Sequence, residues 1–289
     1  MRMRCAAGPC ARRVRVRPRA GAGVRPPMTP EEAVSQIRRQ LRSQVLGEAS
    51  VSRDRLVVEL PLPLPGREDD PYALLVPASR ASAWFPGGVR QQLRALAPLV
   101  EAILAGYTCT FRGYLGGADA EGDAVGVWAS EGNGLTVVAM PGNDSFLDLG
   151  RLVDGASAGG GGTEGRPPRV VLVNPLYSGR AEDAGQFWER GVKAEARRVL
   201  GMDWAALYVC RAVRSPYGMP GVLFKASLDA PWEVFAADRD GPTEAVAAFD
   251  GAEPSAADIE AALRAHYGDR FAEDPVSSLK RALRGDEDA

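Results

Sequence analysis

Arg169-Val170-Val171-Leu172-Val173 most restricts how this chain can fold, because its apolar side chains follow one another without a polar break. A strand with one wet face alternates apolar and polar residues, whereas a short run apolar on both sides suits a parallel strand covered on both faces. A sheet with helices packed against each side follows from that segment. Asn174-Pro175 closes the run, at the position where open α/β sheets place their ligand crevices. A side-chain amide there can bind a ligand, and Asn before Pro is equally an ordinary turn.

Helical spacing supplies the covering layers. Thr29-Pro30-Glu31-Glu32 has the residues of a capping box, with Pro in the first helical position. Val34, Ile37, Leu41 and Val45 continue it as one apolar face. Val89, Leu93, Leu96, Val100 and Ile103 form a second stripe, on a helix that Pro98 must kink or restart. Phe146, Leu149 and Val153 give a short third face, and Trp188, Val192, Ala196 and Val199 a fourth. Ser255, with Asp258 three residues later, opens a helix that Gly268 stops, and Thr243 to Phe249 also reads as helix.

Strands are expected at Arg55–Leu60, Ala124–Trp128, Leu135–Met140, Trp204–Cys210, Val222–Ala226 and Trp232–Ala236, short apolar runs punctuated by Gly, Pro and Asn. The alternation of these elements, with the last strands closely spaced, gives a three-layer α/β sandwich with a mostly parallel sheet and an antiparallel C-terminal meander. One domain is expected over residues 28–289, with a Gly-rich loop at 155–168.

Charge separates the beginning of the chain from the rest. The first 30 residues hold eight arginines and no acid; setting those eight aside from 35 basic residues leaves 27 against 37 acidic ones, a net charge of −10. That balance disfavours a nucleic-acid partner. Residues 1–27 are rich in Arg, Ala and Gly and lack the apolar core of a secretory signal, so they read as an organelle transit peptide. The composition suits a chloroplast or a mitochondrial leader, and a basic tail kept in the mature protein is the alternative. Lys193, Lys225 and Lys280 are the only lysines; with isoleucine equally scarce, the arginine abundance reflects a GC-rich genome rather than phosphate binding. No stretch reaches the about 18 apolar residues of a membrane span, so the mature protein is expected to be soluble or peripheral. Cys5 and Cys10 fall in the leader, and Cys109 and Cys210 lack any CxxC or histidine company. No metal or cofactor is expected from them.

Each candidate site has a plain structural counterpart. In Trp84-Phe85-Pro86-Gly87-Gly88-Val89-Arg90-Gln91-Gln92, two glycines open a helix whose first amides could receive an anion beside Arg90 and Gln91, or merely form a tight loop with buried aromatics. Gly159 to Gly162 precede a strand and no Lys follows, so they make a surface loop rather than a phosphate cradle. His266, the only histidine, sits where a helix C-terminus favours it structurally, and it leaves no second histidine for a triad. Asp144, Asp148 and Asp154 are spaced as solvated helix charges and converge on no base. Trp232 opens a strand and is expected to pack in the core.

TPEEAV, FPGGVRQQ with LAPLVEAIL, VVLVNP, and LF followed by APWEVF occur in that order between about Thr29 and about Ala265. Together they resemble a plastid and cyanobacterial family of uncharacterised domains that includes the Low PSII Accumulation type of photosystem II assembly factor. The resemblance implies a chloroplast protein of the stroma or thylakoid surface, a non-enzymatic accessory or assembly factor whose partner is a photosynthetic membrane protein or assembly intermediate. It implies no catalytic residue and no cofactor. In some plant proteins a similar domain follows an adenylate kinase domain, which keeps a nucleotide or other phosphate-bearing small ligand as the alternative. Trp84, Gly87, Gly88, Arg90, Gln91 and Asn174 are the expected binding surface for either.

Overall fold

A computed structural model describes residues 14–15, 24–46, 53–62, 85, 87–117, 124–130, 134–158, 168–177, 180–185, 189–215, 219–238 and 241–268. Among the described residues ten strands form one sheet: β1 (Val14–Arg15), β2 (Arg55–Glu59), β3 (Thr110–Tyr114), β4 (Gly126–Ser130), β5 (Leu135–Ala139), β6 (Arg169–Val173), β7 (Ala205–Arg214), β8 (Pro220–Lys225), β9 (Trp232–Asp238) and β10 (Gly241–Phe249). Their order across the sheet is β1-β10-β9-β8-β7-β2-β6-β5-β4-β3. The core, β5-β6-β2-β7, is parallel. Antiparallel strands extend it on both flanks, β4 and β3 on one and β8 to β10 on the other. The α/β class, the parallel core and the C-terminal meander are those the sequence implies.

Among the described residues five α-helices complete the layers: α1 (Pro30–Leu46), α2 (Gly88–Leu104), α3 (Phe146–Ala158), α4 (Arg190–Leu200) and α5 (Ala256–Tyr267). Because strand side chains alternate between faces, β6 feeds two cores. Val171 and Val173 join Leu56, Val58 and the stripes of α1 and α2 on the first face. Val170 and Leu172 meet Phe146, Leu149, Val153, Ala196 and Val199 of α3 and α4 on the second. Further along that second face, Leu263 of α5 packs with Val209, Leu223, Val234 and Phe249.

The caps follow sequence chemistry. Thr29 Oγ1 accepts the Glu32 amide at 3.2 Å, while the Glu32 carboxylate accepts from Met28 N at 2.7 Å, one residue earlier than a strict capping box. Ser255 and Asp258 complete the box reciprocally at α5. Pro98 lies inside an unbroken α2, so that helix forgoes the bond Pro98 would have donated to Arg94.

Residues 155–158, expected to open a Gly-rich loop over 155–168, are instead the last turn of α3, and two further segments depart from expectation. Thr243 to Phe249, expected as helix, belongs to β10 and pairs antiparallel with β9 through two register shifts. Ala and Glu favour helix only weakly, and here Gly241, at φ 113°, turns the chain back so that Ala247, Ala248 and Phe249 become buried beside β9. Pro242 costs no ladder bond at a strand start. The other is β3, which carries no clear alternation in its sequence; it pairs with β4 around a bulge at Arg112, between the pairs Phe111 to Trp128 and Gly113 to Val127.

Candidate functional site

At the carboxyl ends of the parallel strands the backbone turns sharply. Met140 and Asn174, the residues after β5 and β6, take positive φ of 58° and 47°, a conformation Asn tolerates better than most residues. Asn174 is completely buried. Its Oδ1 accepts from Leu60 N at 2.8 Å, its Nδ2 donates to Leu60 O at 3.0 Å, and its own amide donates to Val58 O at 2.9 Å. The side chain thus acts as one more rung of the β2–β6 ladder, and its amide is committed to the fold.

The expected helix start is present. Gly88, at φ 64°, donates its amide to Phe85 O at 2.8 Å, and Phe85 is buried in the first-face core. Gly87 N donates to Gln91 Oε1 at 2.7 Å, so Gln91 satisfies one of the open amides of the first turn itself. Arg90 is exposed. Trp84 and Gly159 to Gly162 lie outside the described residues. His266 places Nδ1 3.2 Å from Glu244 Oε1 and stacks edge-on against Tyr267. Asp148 and Asp154 pair with Arg151 and Arg198 respectively, on the helix surfaces.

The α2 flank continues onto β3. Leu93 of α2 approaches Gly126 and the Trp128 ring of β4, and Phe111 of β3 lies against that indole, ring centres 5.0 Å apart, with Tyr114 edge-on at 5.7 Å. Phe111 is 47% exposed. Among the described residues no strand pairs with the outer side of β3.

On the second face, between α4 and α5, lies a cleft of about 650 Å³ that sequence reading missed. Val57, Ala206 and Val209 lie beneath it and Trp204 and Trp232 line its sides. A shift in the β2–β7 ladder at Val57 and Val58 accompanies its floor, pairing Val57 with Ala206 but Val58 with Tyr208. Both indole N–H groups are committed, Trp204 to Val199 O at 2.8 Å and Trp232 to Gly251 O at 3.1 Å. Arg211 of β7 donates twice to Glu59 of β2, through Nε at 2.7 Å and Nη2 at 2.6 Å, and through Nη1 to Glu253 at 2.9 Å. Burial works against the Arg211 charge, and the two carboxylates more than restore it. Lys225 donates to Ala230 O and lies over the Trp232 ring at 5.4 Å; burial lowers its pKa against the opposing pull of Asp229. Glu59 and Arg211 are separated by 152 residues and Arg211 and Glu253 by 42, so no local motif announces this group.

The two cysteines of the described domain are free. Burial raises the pKa of both: Cys109 against a hydrogen bond with Ser130, and Cys210 more strongly, with the Glu59 charge adding to it. Neither is an activated thiolate. No helix among the described residues is long and apolar enough to cross a membrane.

The family model described as a domain of unknown function, DUF1995, matches residues 27–261, from just before α1 into α5, and so takes in both the α2–β3 flank and the cleft. No curated protein and no solved structure gives a significant match to the chain.

Proposed function

The chain belongs to the DUF1995 family, and from that premise we propose that it acts by binding a protein, as an accessory or assembly factor for photosynthetic membrane complexes of the photosystem II type, at the chloroplast stroma or thylakoid surface. The order of its motifs, with their likeness to the Low PSII Accumulation type of factor, and the Arg-rich segment before residue 28 support the location and the partner class. The observation that carries the binding mode is Phe111. A large aromatic side chain 47% exposed on the outermost strand among the described residues, backed by Trp128 and Tyr114, has the make-up of an interface anchor. Gly87, Gly88, Arg90 and Gln91 begin α2, whose Leu93 lies against Gly126 on the strand paired with β3, and they are part of the proposed binding surface. Asn174, completely buried and with its amide spent on Leu60, is left out of that surface.

Affinity capture of the tagged full chain from a photosynthetic cell tests this, with mass spectrometry of the co-purifying proteins and a parallel capture with Phe111→Asp. Newly made photosystem subunits are expected with the unaltered chain and not with the variant, whose cooperative unfolding should persist with a loss of about 0.5–1.5 kcal/mol for each ring contact given up with Trp128 and Tyr114. Capture of no photosynthetic membrane protein, or equal capture by both forms, would overturn the proposal.

A further inference from the structure

The lining of the second-face cleft carries more acid than base. Its carboxylates are Glu59, Asp203, Asp229 and Glu253, and its cations are Arg53 and Lys225. Arg211, outside the lining, donates to Glu59 and Glu253. With it included, four carboxylates stand against three cations, a net charge of −1. Arg53 Nη1 lies 3.6 Å from Asp203 Oδ2, where both side chains are open to water. Lys225 is buried, donates to Ala230 O and places its ammonium 5.4 Å from the centre of the Trp232 ring. One of the two indoles therefore already receives a cation, supplied by the chain itself. Among the described residues no cation lies over the other, Trp204.

We infer that this cleft binds a small quaternary ammonium compound, its cationic head beside the Trp204 indole and its body over Val57, Ala206 and Val209. One positive charge balances the net charge of the cleft and its arginine. A quaternary head has no N–H and so asks for no acceptor. That suits Glu59 and Glu253, which receive from Arg211, and Asp203, which pairs with Arg53. The attraction comes from the sum of the charges, and no carboxylate has to leave its partner. A metal ion would need carboxylates as direct ligands, and among the described residues no group of three acidic, cysteine or histidine side chains is placed to hold one. Both indole N–H groups are spent on backbone carbonyls, so the two tryptophans offer ring surface rather than donors, the chemistry that receives a diffuse organic cation. A volume of about 650 Å³ is in the range of small-ligand sites.

The inference is independent of any protein partner and is tested on the purified full chain by calorimetric titration with choline and with 3,3-dimethyl-1-butanol, which has the same shape and no charge. Saturable binding of choline is expected, with the alcohol about tenfold weaker or worse, because the attraction of ring and carboxylates for the cation is lost. Trp204→Leu should weaken choline by about threefold or more while the unfolding transition persists. Lys225→Met should tighten it by about threefold or more, since a like charge in the lining gives way to an apolar chain of similar length. No saturable binding of choline, equal binding of choline and the alcohol, or an unchanged affinity in either variant would each overturn the assignment. The first two are read on the unaltered chain, so they stand even if a variant fails to fold.

Discussion

Replacing Asn174 tests whether the end of β6 is held as the geometry implies. Asn174→Ala removes both side-chain bonds to Leu60, a residue 3% exposed, and leaves a buried N–H and a buried carbonyl without partners. Each such group costs about 1–3 kcal/mol. Alanine in the left-handed conformation, at φ 47°, adds about 1 kcal/mol. The loss should total about 3–7 kcal/mol, a large part of the about 5–15 kcal/mol available to a domain. Asn174→Gly loses the same bonds without the steric term, so it should be less damaging than alanine by about 1 kcal/mol. Urea unfolding followed by far-ultraviolet circular dichroism measures both. If Asn174→Ala falls within about 1 kcal/mol of the unaltered chain, the amide is not a rung of the ladder and the account of this residue is wrong.

Other consequences follow from packing and burial. Gly221→Ala should destabilise by about 1–3 kcal/mol in the same unfolding assay, because a Cβ there would come within 2.8 Å of Leu263 and 2.9 Å of the Phe235 carbonyl. Burial, with a contribution from the Glu59 charge, pushes the Tyr177 hydroxyl from 10.0 up to about 12. Above pH 10 the unfolded chain gives up this proton before the folded one does, so stability should fall from pH 10 to about 12. Tyr177→Phe should flatten that fall by up to about 2–3 kcal/mol across the window, as read from urea midpoints against pH. Cys210, buried on β7 with a raised pKa, should escape iodoacetamide at pH 8 until denaturant is added, and peptide mass spectrometry would detect any earlier labelling.

The sequence disclosed those features in which local chemistry and tertiary need coincide. Arg169 to Val173 announced a doubly covered strand because both of its faces are apolar, and Thr29 and Ser255 marked helix starts because their caps are built from residues three apart. Thr243 to Phe249 misled because its Ala-rich composition favours helix slightly, while the pairing that decides its state lies in β9. The candidate surfaces divide in the same way. Gly87, Gly88 and Gln91 were legible as a helix entry from spacing alone. Asn174 was legible as a special position but not as a clamp, since its partner Leu60 is 114 residues away. The cleft was invisible, being the product of four strands and of the connections beside them, which meet only in the folded chain.

The bulge at Arg112 carries a consequence for self-association. A flat terminal strand is a template on which copies of the same chain can align, and sheets that extend in this way can seed fibrils. An extra residue between Phe111 and Gly113 puts the outward hydrogen-bonding groups out of step and bends the strand away from a common register. The chain can therefore display an aromatic residue at the end of its sheet to a different molecule while remaining a poor template for itself.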